Sequence, residues 1–267
     1  MPRPLWSGSL SFGLVNVPVN IRTAVRDLDL HFRQVHEKDG APIEVQRVCS
    51  EEDVEVPYEE IGHGYELDDG GQVVLTDEEL EAAEPEKTRT IDIERFVEEP
   101  EVDPIYFDHP YFLLPASADD GAVRAYRLLV EVMAKTSRAA LGRFVMRAKE
   151  YLVVIRSIDG VLQLTTLRFA DEVRSPDDVG APSGRTAKPA AKQLDAAIAV
   201  IEGLSTEWRP EDYEDQYRKR LQQVVARKRK GQTIKAPSEE KRSEPAPDLM
   251  EALERTLAEL GAGGSKR

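Results

Sequence analysis

Two segments rich in β-branched and apolar residues, separated by one Asp-Gly pair, constrain the fold of this chain most strongly. They are YLVVIRSI (residues 151–158) and VLQLTTLRF (residues 161–169), with Asp159-Gly160 between them. Asp and Gly tolerate the positive φ angles of a two-residue hairpin turn, so this pair is the strongest short-range hairpin signal. We therefore predict an antiparallel hairpin at this point of a β-rich region.

Two further Asp-Gly pairs begin at Asp39 and Asp69. The first predicts a hairpin that joins residues 31–36 to residues 42–48. The second predicts another turn between β-rich segments. Turns of this kind, repeated before residue 190, indicate that strands outnumber helices in that part of the chain.

The chain also opens on a β pattern. Apolar residues alternate from about Leu5 to Val19, and the alternation changes phase near Gly13, which predicts one strand with a bulge or barrel corner. Later, Thr76 and Glu79 have the spacing of a capping box, which predicts the start of a short helix.

A longer amphipathic helix is predicted from Asp120. Its apolar face is formed by Val123, Tyr126, Val130 and Met133. Its polar face carries Arg124, Arg127, Glu131 and Lys135. The segment GRFVMRA (residues 142–148) then predicts a strand, with Arg143, Val145 and Arg147 on the face opposite Phe144, Met146 and Ala148.

The composition changes after this β-rich part. Residues 175–191 predict a loop or hinge. Two helices follow, with apolar stripes at Leu194, Ile198, Ile201 and Leu204, and at Tyr213, Tyr217, Leu221 and Val224. Residues 231–247 are polar and Pro-rich and predict a flexible linker. The amphipathic segment 248–260 predicts a last helix, and since a lone helix of about a dozen residues is marginal in water, we expect it to have a partner.

Charge is distributed unevenly along the chain. The net charge is −14, and acid is concentrated in residues 51–101, where the basic residues are Lys87, Arg89 and Arg95. Two stretches, residues 124–149 and 218–230, reverse the sign. Because salt confines the effect of exposed charges to about 10 Å, local balance decides which partners bind. The acidic composition therefore does not exclude a nucleic-acid partner.

Cysteine content and hydropathy restrict the class of protein further. Cys49 is the only cysteine, which excludes an internal disulfide and a cysteine-based zinc site. No apolar run approaches the ~20 residues of a membrane span, and the N-terminus lacks the apolar segment of a signal peptide. We expect a cytoplasmic protein with no membrane partner.

A search for catalytic motifs finds none. His31 and His36 lie five residues apart on a predicted strand, so their side chains project to opposite faces and are poorly placed to share a metal. The chain has neither a phosphate-binding GxxxxGK[ST] motif nor a nucleophile elbow. We therefore predict a protein that is not an enzyme and has no catalytic residue, metal or cofactor.

The basic residues point to a polyanion instead. Arg124 and Arg127 on one helix face are followed by Arg143 and Arg147 on one strand face, against an acidic background. Such positive potential suits phosphate contacts that position a protein without reading bases. No zinc-finger spacing, basic zipper or aromatic RNA-binding signature is present. The residues themselves indicate a sequence-independent polyanion binder.

Several long segments resemble the prokaryotic Ku proteins. They are WSGSLSFGLVNVPV (residues 6–19), DGAPIEVQRVC (39–49), DPIYFDHPYFLLP (103–115) and AYRLLVEVMAKTSRAALGRFVMRAKEYLVVIRS (125–157). The resemblance extends over essentially the whole chain, to the terminal helix. It implies an α+β fold with a Ku-type β-barrel core, an extended bridge and a C-terminal helical arm, assembled as a ring-shaped homodimer.

The resemblance also implies a domain organisation. Residues 1–190 would form the barrel core, with the bridge at about residues 31–74, and residues 191–230 the helical arm for dimerisation. Residues 231–247 would be the linker, and residues 248–267 a short ligase-contact helix and tail.

In function, the resemblance implies a non-enzymatic homodimeric clamp that binds double-stranded DNA ends without sequence specificity. It would recruit a multifunctional ATP-dependent DNA ligase for non-homologous end joining, in a cytoplasmic, nucleoid-associated setting. The expected phosphate contacts are Arg22, Arg26, Arg33, Lys38, Arg47, Arg124, Arg127, Arg143 and Arg147. The expected ligase contacts are Leu249, Leu253, Leu257 and Leu260.

Two other functions remain open from the residues. One is a metal-dependent nuclease that uses His31, His36 and the acids of residues 51–53. The other is an acidic protein–protein adaptor without DNA affinity, whose acidic block and terminal helix form the functional surface.

Overall fold

The computed structural model describes residues 3–86, 88–180, 190–234 and 249–263. The chain divides into two compact units, Met1–Val179 and Gly180–Arg267. In chain order the strands and helices are β1 Trp6–Phe12, β2 Val15–Thr23, β3 His63–Glu66, β4 Gln72–Leu75, α1 Asp77–Ala82, β5 Thr90–Glu98, β6 Phe107–Pro115, α2 Asp120–Thr136, β7 Arg138–Met146, β8 Lys149–Ile158, β9 Val161–Leu167, α3 Ala191–Leu204, α4 Gln216–Arg229 and α5 Leu249–Gly263.

The first unit is built around a closed seven-stranded barrel with the strand order β1-β2-β6-β9-β8-β7-β5. The barrel closes where β1 and β5 pair in parallel, whereas the other neighbouring strands are antiparallel. Closure leaves no unpaired sheet edge in the barrel. The predicted α+β fold with a β-barrel core is therefore confirmed.

The prediction of one opening strand is wrong, because residues 6–23 form the β1–β2 hairpin. Phe12 faces Val15 in the register, so Gly13 and Leu14 are the two turn residues. Gly13 has φ 57°, and Leu14 is fully exposed. Positive φ at the first turn residue only is the pattern of a type II′ turn, for which Gly is preferred. The phase change at Gly13 is thus a reversal of the chain.

The hairpin predicted at Asp159-Gly160 is confirmed. It joins β8 to β9, with Ile158 opposite Val161, and both turn residues have positive φ, 50° at Asp159 and 77° at Gly160. These angles are those of a type I′ turn, whose twist matches that of the flanking strands. The turn predicted at Asp69 is confirmed as well, since it lies in the loop between β3 and β4.

The hairpin predicted around Asp39 is present in a reduced form. Val35 and Pro42 form an isolated bridge, and His36 N–H donates to the carbonyl of Ala41 at 2.8 Å. Residues 31–36 and 42–48 nevertheless do not form regular strands. Pro42 offers no N–H to a ladder, and these residues have no packed face behind them, so the pairing does not extend.

The barrel interior and α2 form one apolar core. The largest fully buried side chains come from several strands and from α2: Phe144, Leu10, Ile21, Ile91, Leu113 and Met133. The predicted apolar face of α2 is correct for Tyr126, Val130 and Met133, while Ala122 and Leu129 complete it in place of the partly exposed Val123. The helix therefore packs on the barrel through a face slightly rotated from the predicted one.

Tyr126 joins α2 to two strands. Its hydroxyl donates to the carbonyl of Leu113 on β6 at 2.7 Å and accepts from the N–H of Leu162 on β9 at 2.9 Å. Leu113 and Leu162 face each other in the β6–β9 register. Burial raises the pKa of Tyr126, so the hydroxyl keeps its proton and can act as a donor.

A long excursion, residues 24–89, separates β2 from β5. From Arg22 to Thr90 none of the described side chains is buried. The excursion contains the β3–β4 hairpin and α1, which begins with the predicted capping box, as Thr76 and Glu79 exchange backbone hydrogen bonds at 3.3 and 2.9 Å. Residues 31–74, the expected bridge, fall within this excursion.

In the second unit, α5 packs against α3, and Lys192 forms an ion pair with Glu254 at 3.5 Å. The half-buried side chains of α3 lie on one face, at Gln193, Ala196, Ala197 and Val200. The predicted stripe of α3 lies on an adjacent face and is exposed at Leu194, Ile198, Ile201 and Leu204. The helix predicted to include Tyr213 begins only at Gln216, because Asp215 caps α4.

Candidate nucleic-acid interface

The strand register brings the two ends of the excursion to one end of the barrel. β2 ends there at Thr23, β5 begins there at Thr90, and the turn between β7 and β8 lies at the same end. Trp6, the first residue of β1, donates its indole N–H to the carbonyl of Val145 at 3.1 Å near that turn. We call this end of the barrel the excursion end. It comprises the β7–β8 turn and the two roots of the excursion, where β2 ends and β5 begins.

Several of the expected phosphate contacts belong to the excursion or its root. Arg22 is half-buried on β2, opposite Phe112 of β6, and Arg26 is exposed shortly after β2. Arg33, Lys38 and Arg47 are exposed along the excursion, and the guanidinium of Arg47 lies 5.5 Å from the ring centroid of Tyr58. This contact holds Arg47 against the excursion by a cation–π interaction.

Arg143 is exposed on β7, as predicted, but it is neutralised there. Its guanidinium lies 3.1 Å from a carboxylate oxygen of Glu94 and 3.1 Å from one of Glu150. Glu94 comes from β5 and Glu150 from β8, the two neighbours of β7 in the barrel. A phosphate would have to displace both carboxylates, so Arg143 is a poor candidate for a DNA contact.

Arg147 does not lie on the strand face shared by Arg143 and Val145, so that part of the prediction is wrong. Met146 pairs with Lys149, which makes Arg147 and Ala148 the two turn residues between β7 and β8. Both have positive φ, 53° and 64°, which is a strained backbone for residues with a Cβ. The turn holds Arg147 at the excursion end.

Arg124 and Arg127 lie elsewhere. β6 runs from the excursion end to Pro115 and β7 starts its return at Arg138, so α2 begins and ends at the opposite end of the barrel. The nine residues of β6 span about 30 Å. Both arginines are exposed, and Arg124 donates its Nε–H to the carbonyl of Asp120 at 3.0 Å. The fold thus separates them from Arg147.

Arg89 was missed by the sequence reasoning because it lies in the acidic block. It immediately precedes β5, and its carbonyl accepts from the N–H of Ser9 on β1 at 2.9 Å. Arg89 lines the same surface groove as Arg147. The sequence offered one signal, a basic residue directly before a β-strand, but the proximity to Arg147 depends on the barrel register.

The histidines do not assemble into a site. Each lies beside one aspartate: His31 with Asp27, His36 with Asp39, His63 with Asp77 and His109 with Asp108, at 2.7–3.3 Å. The hydrogen bond from His109 is the main reason why the pKa of Asp108 is lowered. In the described part of the chain, no group of three or more His, Cys, Asp or Glu side chains is placed to hold a metal ion.

The expected ligase contacts lie on α5. Leu253 and Leu257 are half-buried, whereas the side chains of Leu249 and Leu260 lie outside the described residues, as does most of the expected linker, residues 231–247.

Among the described helices, none combines the length and apolar character needed to cross a membrane.

Comparison with known proteins agrees with this architecture. Residues 11–196 match the family model of the Ku70/Ku80 beta-barrel domain. A protein named "Non-homologous end joining protein Ku" from Anaeromyxobacter sp. (strain K) is 41% identical over 97% of this chain and 86% of its own length. "Non-homologous end joining protein Ku 1" from Geotalea uraniireducens is 40% identical, over 96% of this chain and 97% of its own length.

A third relative, "Non-homologous end joining protein Ku" from Coxiella burnetii, is 36% identical over 96% of this chain and 94% of its own length. The family match covers the barrel from the end of β1 onwards, the excursion and the start of α3, and these relatives align along nearly the whole chain. By its barrel and by these identities, the chain belongs to the Ku family.

Proposed function

We propose that this protein is a homodimeric clamp that binds double-stranded DNA ends without sequence specificity and serves non-homologous end joining. The observation that carries the proposal is the excursion, in which no described side chain from Arg22 to Thr90 is buried. Ordering a chain segment of this length costs conformational entropy. Because the excursion has no core of its own, contacts with a partner must offset that cost. Its exposed basic residues suit a phosphate backbone.

The exposed apolar side chains support the dimer. The excursion exposes Phe32 to 67% and Val45 to 84%, and the second unit exposes Trp208 to 71% and Tyr217 to 73%. Large exposed apolar surfaces are typical of interfaces, and Trp and Tyr are enriched there. A second copy of the chain would bury surface that the monomer leaves in water.

Binding without sequence specificity agrees with the chemistry of the exposed residues. Arg26, Arg33, Lys38 and Arg147 form no ion pair with a carboxylate in the described part of the chain, so their charges remain available. Contacts of this type position a protein on the duplex and carry no base information. The clamp would act on chromosomal DNA in the cytoplasm, and its role would be binding rather than catalysis.

The test compares binding to a blunt linear duplex with binding to a covalently closed circle of identical sequence. We expect stable binding to the linear form and little retention on the circle, because a closed ring can load only over an end. Equal binding to both forms would contradict a threading ring. Absence of binding to either form would favour the acidic adaptor, and cleavage that depends on added Mg²⁺ or Mn²⁺ would favour the nuclease.

We further propose that α5 recruits the ATP-dependent DNA ligase. The helix is amphipathic, and its half-buried residues alternate with exposed charged residues such as Glu251, Glu254 and Arg255. It packs on α3, with Glu254 paired to Lys192, while Glu251 and Arg255 stay exposed.

Deleting residues 248–260 is therefore expected to abolish stimulation of the partner ligase while DNA-end binding is retained. Joining of a linear duplex by the ligase and retention of the same duplex by the protein are the two measurements. A charge-neutral control replaces Glu207 and Arg209, which pair with each other at 3.3 Å outside α5, by alanine. Loss of DNA binding on deletion would contradict the proposal, because it would make α5 part of the clamp.

A further inference from the structure

Beside the turn between β7 and β8, the barrel surface carries a groove of 440 Å³. It is lined by the apolar residues Trp6, Val145, Met146 and Ala148 and by the polar residues Thr88, Arg89 and Arg147. The groove therefore combines two guanidinium groups and one hydroxyl, all of them hydrogen-bond donors, over a surface of low polarity.

The two arginines keep their charge uncompensated. Neither Arg89 nor Arg147 forms an ion pair or a side-chain hydrogen bond with any residue that the structure describes, although the chain carries a net charge of −14. Arg143, only four residues before Arg147, is held between Glu94 and Glu150. Two cations that share one groove without an acid repel each other, and an anion between them removes that repulsion.

The backbone on both sides of the groove is anchored. Arg89 is held by the hydrogen bond from Ser9, and the ring of Trp6 folds over Gly8 so closely that a Cβ there would lie 2.3 Å from both the ring and the Arg89 carbonyl. Arg147 is held in the tight turn, at φ 53°. Strain of this kind persists where the surrounding structure enforces it, and it marks candidate functional positions.

We infer that this groove is a phosphate-binding subsite, with Arg89 and Arg147 as the charged donors and Thr88 as a hydroxyl donor. Guanidinium groups suit phosphate because they donate several parallel N–H groups to its oxygens. The phosphate can be the monoester at the 5′ end of a break or a diester of the duplex backbone. The inference rests on the proposed function, since it places a phosphate contact of the DNA end at the excursion end of the barrel.

The test uses the full chain with Arg89→Ala and Arg147→Ala together, and linear duplexes that carry either a 5′-phosphate or a 5′-hydroxyl. We expect affinity to fall about 10-fold or more, the range for losing hydrogen bonds to a charged group. The slope of log K against log salt should become less negative by about 0.9 for each lost contact. A larger loss of affinity for 5′-phosphorylated ends would identify the terminal monoester as the phosphate bound in the groove. An equal loss of affinity for both duplexes would identify a backbone diester.

The matched control is Arg95→Ala with Arg174→Ala, which removes the same charge from two exposed positions outside the groove. The inference is overturned if the groove variant binds both duplexes as the control does. If the alanine pair does not fold, the Arg89→Gln and Arg147→Gln pair takes its place. Wild-type binding to the linear duplex but not to the circle, together with an unchanged groove variant, would refute the subsite and leave the proposed function standing.

Discussion

Raising the salt concentration from about 50 to about 200 mM is expected to weaken binding to a linear duplex by a factor of about 10³ to 10⁵. That factor corresponds to six to ten phosphate contacts, because each neutralised phosphate releases counterions whose entropy gain falls as salt rises. In the proposed clamp, the unpaired basic residues of the excursion and of the excursion end would supply contacts of this kind. The measurement is the dissociation constant at four or five salt concentrations.

The sign of this dependence is as informative as its size. A chain with a net charge of −14 is repelled by DNA as a whole, so a protein with no basic surface would bind better, or no worse, as salt screens the repulsion. A steep negative slope would show that local positive potential outweighs the net charge. A flat or positive slope would contradict a phosphate-binding clamp and support the acidic adaptor.

Tyr126→Phe is expected to lower the free energy of unfolding of the barrel unit by about 2–4 kcal/mol. The substitution removes one oxygen and leaves both the carbonyl of Leu113 and the N–H of Leu162 buried without their shared partner. A buried backbone group left unsatisfied costs about 1–3 kcal/mol. For a unit of this size the melting temperature should fall by roughly 5–15 °C, measured by calorimetry or circular dichroism.

Tyr151→Phe is the matched control. Tyr151 lies on β8 with its ring 5.7 Å from that of Phe144, and its hydroxyl has no hydrogen bond to any residue that the structure describes. The control should change stability by less than about 0.5 kcal/mol. If Tyr126→Phe were equally mild, the hydroxyl would not be the link that holds α2 to β6 and β9.

Two of the residue-level revisions of the interface concern β7 and the turn that follows it. Arg143 and Arg147 share a side of the predicted strand, but β7 ends at Met146, and the turn that follows removes Arg147 from that face. Glu94 and Glu150 reach Arg143 from neighbouring strands, 49 and 7 residues away in sequence. Which acid neutralises which base is a property of strand neighbours, and one sequence does not state strand order.

The local features were determined by the sequence itself. The turn at Asp159-Gly160, the capping box at Thr76 and most of the apolar face of α2 depend on residues within one or two turns of each other, and all three are present. The predominance of strands in the first unit likewise follows from composition and the period of apolar residues. The hairpin at Gly13 was one local feature that was missed, because Gly-Leu is a weaker turn signal than Asp-Gly.

Only the tertiary structure decided where the basic residues lie. Barrel closure puts both roots of the excursion, Arg89 and Arg147 at one end, and places Arg124 and Arg127 on a helix at the other. Secondary structure is specified by the period of neighbouring residues, whereas a surface site is assembled by register between strands far apart in the chain. The sequence alone therefore determined most of the local turns, caps and helix faces of this protein. The closed barrel decided which of its charged residues lie close enough to act together.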